Sequence, residues 1–442
     1  MNHTIYERTQ QIATVGWLMS GRHIERLVVF FAFGLLLAWI IGANSIAPKL
    51  QDPSETAVAS ANLTATAPII VSRTNIVAPP SQTSQWERPK PGWLYVLDYS
   101  QDQKTASGAD SEILLVDPQQ GHVKGRIVAG DSPDILLSPD GTRLYIASIL
   151  EIGDSLSIID TTSGTVLQTV PLHNRWRYTI VSGNTTMGIS QDGRWLYILK
   201  LYGIPIGDPN RRPRQFIDKY TVAAFDTTHG VFLPEEAPVP HCLFGMMFSS
   251  PDDQQVQVLC SGSNAVHFLR LTPSGLAVIA PKLALPRGAD KQRPVVATGI
   301  RLRNGDLFAI MSDGRVMEID SNLRKITRSL VKDWLADRWV PQDQVFCSPD
   351  GTKLYVAVGR LVARSTGKVD EILVFETSGG QLLGTIKTSR PFWSLAMSPD
   401  GQYLYGISRE SRSLLVIDAN TYQEMRTISG IGVEPARALV AP

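Results

Sequence analysis

One phrase recurs through residues 93–442 and limits what this chain can fold into. It is an apolar strand, a Ser-Pro-Asp-Gly turn, and a second strand carrying Leu-Tyr. It appears as LLSPDGTRLYIAS from Leu136, GISQDGRWLYILK from Gly188, FCSPDGTKLYVAV from Phe346 and AMSPDGQYLYGIS from Ala396. FSSPDDQQVQVLC from Phe248 and RLRNGDLFAIMSD from Arg301 are weaker copies. Asp-Gly and Asn-Gly between alternating apolar runs mark tight hairpins, because such turns need residues that tolerate positive φ. The turn positions Asp140, Asp192, Asp252, Asn304, Asp350 and Asp400 are spaced 46 to 60 residues apart.

A second phrase lies between these hairpins: a strand ending in Asp or Glu, a short turn, then another strand. LLVDPQQGHVKGRI, SIIDTTSGTVLQTV, AAFDTTHGVFL, LVFETSGGQLLGTI and LVIDANTYQEMRTI show it, and degenerate versions open at Leu271 and Asp320. That makes seven copies of the second turn against six of the first. The closing PARALVAP matches the first strand of a repeat, and WLYVLDYS from Trp93 matches the second. The seventh hairpin is therefore split between the two ends, and pairing them would close a ring. Four short antiparallel strands per unit, repeated seven times, specify an all-β, seven-bladed β-propeller with terminal strand closure over residues 93–442. A closed ring leaves only short protected edges, and neither a sandwich nor separate small β domains explains the complementary half-repeats.

The residues upstream read differently. Leu27 to Ile46 carry no charge over twenty positions, about 30 Å of helix and one bilayer core. Arg8, Arg22 and Arg26 precede this run and Lys49 alone closely follows it. Basic residues stay on the cytoplasmic side. Residues 1–26 thus read as a cytoplasmic tail, 27–46 as one transmembrane helix, and the propeller as extracytoplasmic at the cell membrane. Pro48 after the small residues Ser45 and Ala47, with the long leader, favours an uncleaved signal-anchor over a cleaved signal. Residues 48–92 are rich in Ser, Thr, Ala and Pro and read as a flexible stalk.

The repeated hairpins resemble the YVTN-type, WD-like propellers of surface-layer and periplasmic proteins. That motif is specific for fold and not for activity. Three segments further resemble the heavy subunit of methylamine and aromatic amine dehydrogenases. They are WLYVLD…EILLVDPQQGHVKGRI, HCLFGMMFSSPDDQQVQVLC and VIDANTYQEMRTISGIGVEP. The resemblance implies a seven-bladed scaffold on which a separate small quinone-bearing subunit docks. The anchor and stalk depart from that family, whose heavy subunit is soluble.

Insertions confined to one face of a repeat array mark its binding face. The turns within each phrase are short and lie on one face. The variable segments lie on the other: Ser100 to Ser111, His173 to Thr186, Leu201 to Tyr220, Pro286 to Pro294, Lys332 to Asp343 and Gly359 to Glu371. Two of them gather Arg175, Trp176, Arg177, Arg211, Arg212, Arg214 and Lys219 against Asp208 and Asp218. Arg and Trp commonly anchor interfaces. A basic patch points to an acidic protein or another anionic ligand, although solvated loop charges are the more ordinary reading. Trp334, Trp339, Phe392 and Trp393 fall near inter-blade connections, where packing between blades is expected, for Trp393 above all.

Chemistry is sparse. The chain has 42 basic against 41 acidic side chains, a balance that disfavours nucleic acid. No heme-attachment, zincin, phosphate-loop or nucleophile-elbow motif occurs. No cofactor or metal is expected from local motifs. Asp117, Asp160, Asp226, Asp320 and Asp418 recur at one turn position and read as aspartates bonding their own backbone. Propeller lactonases hold a metal by channel carboxylates from separate blades, which leave no local signature. Cys242 and Cys260 lie near one hairpin, offset from direct pairing. An oxidising compartment permits a disulfide there, and the register leaves its geometry open. Cys347 reads as a small buried hydrophobe. These features favour a binding or scaffold module for a protein or ligand on the long-loop face. An amine-dehydrogenase-like heavy chain, or a metal-dependent lactonase-type hydrolase, is the alternative.

Overall fold

The computed structural model describes residues 86–99, 111–150, 153–172, 187–206, 215–242, 245–261, 263–286, 296–302, 305–311, 315–330, 338–339, 345–362 and 365–442. The transmembrane reading of 27–46 and most of the stalk lie outside them. Among the described residues, no helix is long and apolar enough to cross a membrane.

Every described element is a strand, and consecutive strands pair antiparallel into seven blades. In blade 1, β1 (Leu94–Asp98), β2 (Ser111–Asp117) and the first part of β3 (His122–Leu137) join the last strand of the chain, β30 (Pro435–Val440). The rest of β3 opens blade 2, followed by β4 (Arg143–Leu150), β5 (Gly153–Asp160) and β6 (Thr165–Pro171). Blade 3 holds β7 (Met187–Ile189), β8 (Trp195–Ile206), β9 (Gln215–Asp226) and β10 (Val231–Phe232), with β11 (Ala237–Pro238) beside β9. Blade 4 holds β12 (Gly245–Ser249), β13 (Gln255–Cys260), β14 (Ala265–Thr272) and β15 (Gly275–Val278), with β16 (Leu283–Ala284) beside β14. Blade 5 is β17 (Val296–Arg301), β18 (Leu307–Met311), β19 (Val316–Asp320) and β20 (Lys325–Leu330). In blade 6, β21 (Arg338–Trp339) and β22 (Val345–Cys347) both border β23 (Lys353–Val362), and β24 (Ser365–Glu376) and β25 (Leu382–Lys387) follow. Blade 7 is β26 (Ser394–Met397), β27 (Tyr403–Ser408), β28 (Ser413–Asp418) and β29 (Gln423–Ser429).

The expected closure is present. β30 pairs antiparallel with β1, setting Leu94 opposite Val440, Tyr95 opposite Leu439 and Val96 opposite Ala438. The innermost strands touch in ring order, from β3 through β7, β12, β17, β22 and β26 to β30. Apolar packing crosses each blade boundary. Leu94, Val96, Leu114 and Val116 of blade 1 cluster with Ala396, Tyr405 and Ile407 of blade 7.

The turns show why the phrase repeats. In each Ser-x-Asp turn the serine hydroxyl donates to the aspartate, as from Ser138 to Asp140 at 2.6 Å and from Ser398 to Asp400 at 2.6 Å. The same serine oxygen accepts the amide five residues on, from Arg143 at 2.9 Å and Tyr403 at 2.9 Å. The aspartate in turn accepts the amide two residues on, from Thr142 at 3.0 Å and Gln402 at 3.0 Å. The serine bond, with the Thr352 amide, holds the Asp350 carboxyl down at about 2. The weak copy in blade 4 has a use. Asp253 adopts φ 54 where its counterparts have glycine. Its carboxylate then caps the amides of Gln191 and Asp192 in blade 3 at 2.8 and 3.1 Å.

The tyrosines of the Leu-Tyr strands are buried in the blade interfaces: Tyr95, Tyr145, Tyr197, Tyr355 and Tyr405. The Tyr355 hydroxyl donates to the Ala419 carbonyl of the next blade at 3.2 Å. Burial pushes the Tyr95, Tyr355 and Tyr405 phenols up to about 12. The recurring second-turn aspartates bond their own backbone. Asp117 accepts the amides of Gln119 and Gln120 at 2.8 and 3.1 Å, and Asp160, Asp226, Asp320 and Asp418 repeat the pattern.

Two predictions follow from this packing. Deleting residues 435–442 removes β30 and exposes the inner edge of β1. The melting temperature should fall by roughly 5–10 °C, the effect of several lost kcal/mol in a domain of this size; an unchanged melt would mean that the terminal pairing closes nothing. The second concerns His267 on β14, opposite Val258. Burial, with Lys282 nearby, lowers its pKa from 6.5 to about 4. The unfolded chain therefore binds a proton that the folded chain refuses, and this contribution to stability, full above pH 6.5, is lost as pH falls toward 4. His267→Gln should make the fall in melting temperature between pH 7 and 4.5 shallower, and a parallel profile would exclude the imidazole as the cause.

Candidate functional site

The two faces of the ring differ. The short-turn face carries the Ser-x-Asp and second-phrase turns, whose carboxylates are occupied within the turns. The opposite face carries the strand 2–3 connections and the inter-blade segments. Two segments expected there as irregular loops are instead extended ladders. β8 and β9 stay paired out to Ile206 opposite Gln215, and β23 and β24 out to Val362 opposite Ser365. The first ladder sets Ile204 opposite Ile217 and Pro205 opposite Phe216 in register.

Of the basic residues singled out from the sequence, Lys219 is exposed on β9, in register with Tyr202. Arg175, Trp176, Arg177, Arg211, Arg212 and Arg214 lie outside the described residues. Cys242 and Cys260 are joined by a disulfide with Cα atoms 4.9 Å apart. Cys260 pairs with Gly245 across the ladder, so Cys242 reaches it from just upstream of β12. Cys347 is partly buried on β22.

One group of described charged residues gathers instead at the seam of blades 7, 1 and 2, on the long-loop face. Asp98 ends β1 fully buried. Its carboxylate accepts the Val433 amide at 2.8 and 3.1 Å and the Glu434 amide at 2.5 Å. Burial raises the Asp98 pKa, opposed by the Val433 amide and by Arg126 and Arg412. Gly432 (φ +73) makes this approach possible, since a Cβ there would stand 2.5 Å from Asp98 Oδ2. Arg437 on β30 forms an ion pair with buried Asp134 on β3, and Asp134 also accepts the Ile135 amide at 2.9 Å. Arg409 pairs with Glu434, and burial lowers its pKa.

Trp393 completes the group. Packing between blades was expected for it, and the structure assigns that role to its neighbour. Phe392 is 3% exposed in the blade 6–7 core, whereas Trp393 is 51% exposed. The Trp393 amide bonds to the Ile407 carbonyl at 2.6 Å, which fixes the backbone. The Arg409 guanidinium lies 5.7 Å from its ring centroid. The result is an exposed aromatic ring beside an ion-paired arginine, residue types common at binding hot spots.

What this site can do follows from its donor set. Asp98, Asp134 and Glu434 are all engaged by backbone amides or arginine. Among the described residues, no three His, Cys, Asp or Glu side chains gather as a metal site. None of the seam residues carries a local motif. Trp393 with Arg409, Glu434 with Arg437, and Asp98 with Asp134 come from three separate stretches of the chain, which meet only when the ring closes. The one signal available beforehand was a charged residue capping an otherwise apolar strand, as in LYVLD.

No family model matches the chain, and no curated protein matches it by sequence. Solved structures do share its fold. A functionally unknown protein from Desulfotomaculum acetoxidans is 13% identical, with a TM-score of 0.57 over 79% of this chain and 99% of its own. The periplasmic gluconolactonase of Pseudomonas aeruginosa is 18% identical, with a TM-score of 0.56 over 80% of this chain and 100% of its own. The dihydro-heme d1 dehydrogenase NirN is 16% identical, with a TM-score of 0.51 over 82% of this chain and 78% of its own. At these identities the likeness is one of fold, and one fold hosts many activities.

Asp98→Ala should strand the Val433 and Glu434 amides and lower stability by about 1–3 kcal/mol, the cost of buried donors left without an acceptor. A urea midpoint equal to that of the parent would show that the closing segment is held by other groups.

Proposed function

We propose that this chain is a membrane-anchored, extracytoplasmic β-propeller that binds a protein partner through its long-loop face. Trp393 carries the reading: a half-exposed tryptophan, backed by Arg409, at the seam of a face that also bears two projecting hairpins. Preorganised aromatic anchors of this kind lose little entropy on binding. The basic segments around Arg175–Arg177 and Arg211–Lys219, expected from the repeat to belong to that face, would complement an acidic surface on the partner. The anchor at 27–46 would tether the propeller to the membrane.

Two enzymatic readings compete. The amine-dehydrogenase-like heavy chain is supported by the three resembling segments and would make the partner a small quinone-bearing subunit. A lactonase-type hydrolase shares the fold with the Pseudomonas aeruginosa gluconolactonase. It fits the seam less well. A metal needs carboxylates with free oxygens, and Asp98 and Asp134 already serve backbone amides and Arg437.

The test is capture of partners from the organism's membranes by the full chain. Trp393→Ala should weaken capture about tenfold or more, in the range of hot-spot truncations, with an unchanged melting temperature. The combined Arg211→Glu, Arg212→Glu and Arg214→Glu variant should weaken capture and make it less salt-sensitive. Undiminished capture by both variants would sink the proposal.

A further inference from the structure

We propose that residues 86–93 are a clasp that locks the closing blade from the short-turn side. Trp86 is its pin. The indole Nε1 donates to the Thr161 carbonyl of blade 2 at 2.8 Å. Its ring fills a slot kept open by two glycines. A Cβ on Gly125 of blade 1 would stand 2.5 Å from the indole, and one on Gly164 of blade 2 would stand 2.6 Å from it. Trp86 also packs against the blade 1–2 core, with its ring centroid 6.3 Å from that of Tyr95.

The following residues engage the other layers of the composite blade. The Glu87 amide donates to the Lys124 carbonyl at 3.0 Å on the outer strand, and the two side chains pair at 3.5 Å. Lys90 and Lys124 both lie over the Trp93 ring, at 5.5 and 5.9 Å. The Gly92 amide donates to the Ala441 carbonyl at 2.9 Å, and the Ala441 amide donates to the Trp93 carbonyl at 2.8 Å. One short segment thus bonds the C-terminal strand, the outer strand of blade 1 and a turn of blade 2. Solvated linker residues have no reason to occupy a glycine-lined slot.

Blade 1 alone is assembled from both ends of the domain, so it is the blade most easily opened. β1 and β30 meet with no covalent turn between them, and a clasp across both raises the cost of parting them. Thr161, Gly164 and Ala441 all sit toward the short turns. Trp86 is therefore seated on the face opposite Trp393. This inference stands apart from any choice of partner.

Amide hydrogen exchange on the full chain tests it. In Trp86→Ala, the amides of Leu94–Asp98 and Ala436–Val440 should exchange at least tenfold faster than in the parent, and those of Val256–Cys260 in blade 4 should be unchanged. Trp86→Phe keeps a ring and drops the Nε1–H bond to Thr161, so it should give a smaller acceleration confined to the same seam. Seam exchange equal to the parent in both variants would overturn the clasp. So would equal acceleration in all blades, which reports general loss of stability and not a local lock. Should Trp86→Ala fail to fold, Trp86→Phe decides the matter by the same comparison of seam with blade 4.

Discussion

The pairing of β30 with β1 is the interaction on which the rest depends. Six blades are made of consecutive strands and could form from local hairpins. The seventh requires the two ends of a 350-residue segment to meet. Closing so long a loop costs conformational entropy before any contact is gained. The return is cooperative: with blade 1 complete, apolar packing runs through every blade boundary and β1 is paired on both sides.

The chain reinforces that joint with polar groups that would be costly elsewhere. Buried ion pairs often gain little net stability, because desolvation offsets their attraction. Here Arg437 with Asp134 and Arg409 with Glu434 link neighbouring blades on one face. Asp98 gathers the Val433 and Glu434 amides, so the segment leading into β30 is held by the end of β1. On the other face, Trp86 and the residues after it bind the same blade. The joint is secured at its inner ladder, its upper mouth and its lower rim.

That arrangement bears on function by allocation. Carboxylates on the short-turn face serve the turns, and the carboxylates of the seam serve blade contacts. Among the described residues, the long-loop face presents Trp393 and the extended ladders of blades 3 and 6.

The architecture was legible in the sequence because it rests on local physics. Hairpin turns demand Asp-Gly or Asn-Gly, strands alternate, and a count of seven turns against six exposed the split blade. The turn role of Asp117 and its equivalents was legible for the same reason, since those bonds span only two or three residues. The seam was not. Asp98, Asp134, Trp393 and Arg437 share no spacing, and their proximity exists only after closure. Trp393 and Phe392 are adjacent aromatics that the sequence cannot tell apart; the β26–β27 ladder buries one and turns the other outward. Trp86 likewise sits in a segment of linker-like composition, and only the paired gaps at Gly125 and Gly164, on different blades, give it a place. Local propensity determined the blades; the meeting of distant residues, which depends on ring closure, decided the site.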